Sequence, residues 1–211
     1  MDFAIKMFQD GGNLMYVNLA VAVFGLAVVV ERFLSLNKLR INEVDFFKEI
    51  EAQVKAGNIE RAVAICAKSN SAAVAQVVKA GLATATKGRI AASGAIDEAA
   101  ADAMPAITKR AGVLFGIANL ATLIGLVGTV FGLIESFESI SLAAPDKKSE
   151  MLTSGIAHAM SNTAFGLSIA MTCVLFHMIV SGQARGLMQA VERAVVRTEN
   201  LVHRIQHGSE A

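Results

Sequence analysis

Three uninterrupted apolar stretches constrain this chain more than any other feature. They run roughly from Leu14 to Leu34, from Ala111 to Ile134 and from Gly155 to Val180. About 20 helical residues cross a hydrocarbon core. Inside it every backbone N–H and C=O must find a partner within the protein, so each stretch has to be a helix. Composition agrees: of 211 residues, 54% are hydrophobic and 18% charged, and the mean hydropathy of +0.52 leaves too little polar surface for a soluble shell. A net charge of +1 excludes the clustered positive field on which nucleic-acid affinity rests. Cys66 and Cys173 stand far apart with no CxxC and no histidine at ligand spacing, so both read as small packed hydrophobes.

The predicted class is an all-α integral membrane protein with three transmembrane helices and long cytoplasmic helical extensions. Its segments are an outer N-terminal segment (1–13), a first span (14–36), a cytoplasmic helical region (37–110), a second span (111–140), a short periplasmic loop (141–152), a third span (153–181) and a cytoplasmic C-terminal helix and tail (182–211). Residues 1–13 carry Asp2 and Asp10 against Lys6, the wrong charge for a signal peptide, so the first span is expected to persist in the mature protein. Orientation follows from Arg32, Lys38, Arg40, Lys109, Arg110, Arg185, Arg193 and Arg197 on one side, against Lys6, Lys147 and Lys148 on the other. The positive-inside rule then puts the N-terminus outside and the C-terminus in the cytoplasm.

Between the first and second spans the pattern predicts short alanine-rich helices, punctuated at Gly57, Ser71 and Gly88, that pack on extensions of the spans. The first of them sets Val44, Phe47, Ile50, Glu51 and Val54 near helical spacing. Pro105 is expected to kink or restart the helix leading into the second span. Leu187, Val191, Val195, Leu201 and Ile205 mark one face of the tail, which should continue the third span as one long helix.

The spans differ in chemistry. The first reads as a peripheral anchor. The second pairs Gly112 with Gly116 and Gly128 with Gly132 as GxxxG notches, with Gly125 between them, the spacing that lets backbones approach in lipid. Thr122, Thr129 and Ser136 recur every seven residues on the same helix. In the third span Ser154, His158, Ser161, Ser168 and Thr172 form one polar stripe. Thr163 lies on a second, small-residue face with Ile156, Ala159, Gly166 and Ala170. An ionisable side chain inside a bilayer is a functional candidate by default, which singles out His158. His177, near the end of the span, is a weaker case, and Glu135 and Glu138 belong at headgroup level. No span carries an aspartate, so the carboxylate of any proton path would have to come from a partner. GxxxxGK[ST], HExxH and GxSxG are all absent, and neither enzymatic activity, cofactor nor metal is expected.

LATLIGLVGTVFGLIESF followed by GIAHAMSNTAFGLSIA resembles the MotA/TolQ/ExbB proton-channel family, in particular its ExbB and TolQ branch. The resemblance extends more loosely to ERFLSL, NIERAVAIC and DEAAADAMPAITKRAGVL. It implies a homopentamer in the bacterial inner membrane, surrounding the single spans of a dimeric ExbD/TolR-like partner that brings a membrane aspartate. Such an assembly is driven by the proton-motive force and energises transport or envelope processes. The resemblance carries two motif threonines onto Thr129 and Thr163, which in the family face the interior near that aspartate. The ion-pathway candidates are therefore Thr129, Thr163, His158, Thr122 and Ser161, and the helix-packing candidates Gly125, Gly128, Gly132 and Gly166. His158 stands where the family usually has glutamate, and Thr172 where a proline is common. A gliding or flagellar-type stator and a non-conducting membrane scaffold are the alternative readings.

Overall fold

A computed structural model describes residues 12–142 and 144–208. The expected outer N-terminal segment falls largely on residues 1–11, which lie outside the described residues, as do 143 and 209–211. All the regular structure among the described residues is helical. In order, the helices are α1 (Gly12–Leu39), α2 (Glu43–Lys55), α3 (Ile59–Lys68), α4 (Ala73–Thr84), a 3-10 turn (Ala85–Lys87), α5 (Arg89–Thr108), α6 (Val113–Leu142) and α7 (Lys148–Gly208). Three helical stretches are long and apolar enough to cross a membrane, which makes the chain a multi-pass membrane protein.

Two compact units divide the chain. The three-span unit comprises the described residues of Met1–Glu31 together with Gly112–Ile179, and the short-helix unit comprises Arg32–Ala111 with those of Val180–Ala211. Helix α7 contributes to both, because its 61 residues run without a break from Lys148 to Gly208.

In the short-helix unit, α2 begins with Glu43 and Asp45 and ends with Lys55, charges that oppose the helix dipole at each end. Positive φ at Gly57 (76°) and Gly88 (103°) makes the two sharp reversals, conformations in which a Cβ would be strained. Helix α4 packs on α5. Its Gly81 admits Ile96 and Thr198 so closely that a Cβ there would lie 2.5 Å from Thr198 Cγ2 and 2.8 Å from Ile96 Cγ1. The stripe that α7 buries in this unit is Val180, Ala184, Leu187, Val191, Ala194, Thr198 and Leu201. Its alternating steps of four and three are the spacing of a packed helix seam. Val195 and Ile205, assigned to that face from the sequence, are half-buried at its margin.

Polar contacts fasten the same seam. Arg193 reaches Glu43 through two hydrogen bonds of 2.8 and 3.2 Å, Ser93 Oγ donates to Glu199 Oε1 at 2.9 Å, and Gln206 Nε2 donates to the Ala85 carbonyl at 2.9 Å. The Arg197 guanidinium lies 5.0 Å from the Phe47 ring centroid. The short helices thus close on the continuation of the third span, as their alanine-rich sequences require.

Two local expectations are corrected. Val44 is 71% exposed, and α2 instead buries Phe46, Phe47 and Ile50. Pro105 does not restart the helix, since it sits inside α5, which stops only at Thr108. The interruption comes at 109–112, where Arg110 adopts φ 55°. Arg32, counted from the sequence among the positive charges that follow the first span, is 2% exposed and donates from Nη1 to the Lys109 carbonyl at 2.6 Å, just past the end of α5. A guanidinium there satisfies a helix-end acceptor and opposes the negative end of the dipole.

Candidate functional site

The three-span unit is organised by antiparallel contact between α6 and α7. Pairs ascend one helix as they descend the other: Gly125 lies against Thr163 and Gly166, Gly128 against Asn162, Gly132 against Ala159, and Ser136 against Gly155. A Cβ on Gly125 would stand 3.3 Å from the Asn162 carbonyl oxygen and the Thr163 Cα, and one on Gly132 would stand 3.0 Å from the Ala159 Cβ. Glycine lets the helices approach this closely without displacing a neighbour, and in lipid such close van der Waals contact is what holds helices together. Gly125, Gly128, Gly132 and Gly166 all lie in this contact. The other notch of the second span is different, for neither Gly112 nor Gly116 has anything within 4 Å of a would-be Cβ. Those two glycines open no contact among the described residues.

One hydroxyl crosses the contact. Thr163 Oγ1 donates to the Gly125 carbonyl at 2.9 Å, tying α7 to α6 where the two helices meet. The other hydroxyls bond within their own helices. Thr122 donates to Ala118 O at 3.1 Å, Thr129 to Leu126 O at 2.6 Å and Ser136 to Gly132 O at 2.5 Å. Ser161 donates to Ala157 O at 2.9 Å, Ser168 to Ala164 O at 2.8 Å and Thr172 to Ser168 O at 2.9 Å.

The sequence candidates therefore separate into two groups. Thr163 and the four glycines meet at the helix crossing, and Thr129 and Thr122 are half-buried beside it. His158 and Ser161 belong to the other stripe of α7, where Ser154, His158, Ser168 and Thr172 are exposed and Ser161 is half-buried. His158 Nδ1 is 3.0 Å from the Ser154 carbonyl, a contact that is a hydrogen bond only when Nδ1 carries the proton. His177 pairs its ring with Phe115 at a centroid distance of 5.9 Å. Glu135 and Glu138 are both exposed. Among the described residues no three of His, Cys, Asp and Glu converge as a metal site.

Two polar residues escaped the sequence reading. Asn162 is 6% exposed and its carboxamide lies over Gly128. Asn18 of α1 has no exposed surface and lies against Gly166. With Gly25 fitted against Cys173 and Ile117, Asn18 makes the first span a packed member of the unit on one face, not merely an anchor. A signal was present in each case: an asparagine inside an otherwise apolar stretch.

Three helices long and apolar enough to cross a membrane, two of them in close contact through glycines, define a multi-pass helical membrane protein. The chain belongs to the MotA/TolQ/ExbB proton channel family, whose pattern matches residues 69–193. Among similar proteins, the biopolymer transport protein ExbB homolog of Methanothermobacter thermautotrophicus is 23% identical over 190 residues, 89% of this chain and 66% of its own length. Biopolymer transport protein ExbB-like 3 of Synechocystis is 37% identical over 81 residues, 37% of this chain and 39% of its own. The Tol-Pal system protein TolQ of Haemophilus influenzae is 28% identical over 102 residues, 48% of this chain and 44% of its own. The matches thus span two thirds or less of each of these relatives.

Proposed function

We infer that this chain is an ExbB/TolQ-like subunit of an inner-membrane motor driven by the proton-motive force. In this reading it forms a pentamer, with its N-terminus periplasmic and its C-terminus and short-helix unit cytoplasmic. The pentamer surrounds an ExbD/TolR-like single-span partner whose aspartate carries the proton. Thr129, Thr163, Thr122, Ser161 and His158 line the path, and the work is delivered to transport or envelope processes. Family membership and the ExbB and TolQ relatives support it.

The observation that carries the reading is the asymmetry of α7. One face is buried on the glycines of α6 through the Thr163–Gly125 bond, while the other exposes serine, threonine and histidine along a helix apolar enough to cross a membrane. A helix that met only lipid would have no use for the second face.

Thr129→Val and Thr163→Val provide the test, with proton flux measured in liposomes holding this chain and an aspartate-bearing single-span partner. An interhelical hydrogen bond in a membrane is worth about 0.6 kcal/mol, so both variants should still assemble. A conducting subunit loses flux in both variants. Undiminished work by the double variant would instead establish a non-conducting scaffold.

A further inference from the structure

Gly112 and Gly116 serve no contact within the three-span unit, and they are not alone on their side of α6. At 100° per residue, Gly112, Gly116, Asn119, Leu123, Leu126 and Val130 share one face, and all of them are exposed. They recur at alternating steps of four and three, the spacing of a helix seam. Asn119 stands two and a half turns from Gly128, so this seam is on the opposite side of α6 from the glycines that pack on α7. Lipid is a poor cover for such a face. Asn119 makes no hydrogen bond among the described residues, and roughly 10 Å of helix separates it from Gly112. Its side chain is too short to snorkel to water as lysine does. An amide left bare in hydrocarbon is costly, and in a bilayer glycine notches and asparagines are satisfied by a neighbouring helix.

The chain also carries a matching face. Ile117 and Cys173 both lie against Gly25, and Phe115 meets His177, so the antiparallel register of α6 and α7 continues and sets Asn119 level with Thr172. Thr172 and Ser168 are exposed, and each gives its proton to its own helix, leaving an oxygen that can accept. Asn119 Nδ2 donates. Thr172 stands two and a half turns from Thr163, on the side of α7 turned away from α6. Donor and acceptor thus share one depth on opposite outer sides of the α6–α7 pair. They cannot meet within one chain, but copies that share one orientation in a membrane keep every residue at its depth. We propose that the Gly112–Asn119 face of α6 receives the Ser168–Thr172 face of α7 from a second copy, with Asn119 donating across the contact. Such a contact is head-to-tail, and its repetition in the plane of the membrane builds a ring. The proposal rests on the homo-oligomer inferred above, and not on its conduction of protons.

The test traps the contact in membranes holding this chain and the aspartate-bearing partner, with Cys66→Ala and Cys173→Ala as background. Asn119→Cys and Thr172→Cys in one chain should give, on oxidation, a ladder of cross-linked copies that a thiol reductant collapses. Either substitution alone should give none. Bridging by Asn119→Cys alone would mean that two α6 seams meet face to face. Bridging of Asn119→Cys to Leu26→Cys, on the exposed side of α1, would make α1 the cover. No bridging by the first pair would leave the seam to lipid. Each of these three results overturns the proposal. With the native cysteines in place, Asn119→Leu should weaken association about threefold per contact, the scale of one intramembrane hydrogen bond, as followed by dilution on size-exclusion chromatography. Asn119→Gln should recover it. Gly116→Leu fills the notch and should weaken association further, although nothing in the chain lies within 4 Å of its Cβ position. Parental association in both leucine variants also overturns the contact. Bridged copies without proton flux would end the conducting reading and leave the contact standing, whereas a parent that purifies as a monomer ends both.

Discussion

Gly166→Ala tests the close packing of the spans most directly. The added methyl would be placed 2.6 Å from the Ala121 carbonyl oxygen and 3.1 Å from Gly125 Cα, both backbone atoms that no rotamer change can move. Helices α6 and α7 must separate by several tenths of an ångström, which also strains the 2.9 Å bond from Thr163 to Gly125. Overpacking of this kind costs about 1–3 kcal/mol. Loss of the interhelical bond adds about 0.6 kcal/mol. The better helix propensity of alanine returns about 1 kcal/mol. The net loss is therefore about 1–3 kcal/mol, or roughly 2–10 °C in thermal midpoint for a chain of this size. Gly186, on the same helix, has nothing within 4 Å of its would-be Cβ. There the same substitution gains propensity alone and should leave the midpoint unchanged or slightly higher. Purified variants in detergent can be heated and the surviving monodisperse fraction followed by size-exclusion chromatography. Equal shifts at the two positions would refute the packing argument, as would a larger loss at Gly186.

Other outcomes are expected in the short-helix unit. Gly81→Ala should cost about 1–3 kcal/mol of stability through overpacking against Thr198 and Ile96 and so lower the midpoint, whereas Gly94→Ala, with open space around it, should not. Burial pushes the Cys66 thiol up to about 11, so iodoacetamide at neutral pH should modify it only on unfolding. Because the folded thiol ionises above the ordinary value of about 9, its contribution to stability is complete below that pH and is lost as pH rises toward 11, which alkaline melts would reveal. Glu43 holds the exposed Arg193 guanidinium above its usual pKa. Glu43→Gln should nevertheless scarcely move the midpoint, since exposed ion pairs contribute little, and raised salt should erase even that difference.

The spans were legible from the sequence because membrane burial demands long apolar helices whatever the tertiary detail. The glycine contact was legible in part: spacing marked Gly112 and Gly116 as readily as Gly128 and Gly132, and only the position of α7 tells them apart. Hydroxyl stripes emerged from periodicity, but whether a threonine bonds its own helix or the next depends on its position relative to a neighbour. Thr163 does the second, while Thr122 and Thr129 do the first. Arg32 and Asn18 were hidden for a related reason. A charge at a span end fits the headgroups on average, and one amide hardly alters a hydropathy profile, so neither betrays its burial. Val44 misled because Phe46 and Phe47 together outweigh it on the adjacent face.

The inward bonding of the hydroxyls has a consequence for what this surface can receive. Ser161, Ser168 and Thr172, on one stripe of α7, each give their one proton to a carbonyl of their own helix. What remains pointing away from the helix is a row of oxygen lone pairs. An ionised carboxylate brought against that row would find acceptors facing acceptors and be repelled, whereas the same group carrying its proton could donate it to any oxygen in turn. A stripe bonded in this way would favour the protonated group over the ionised one through its hydroxyls alone.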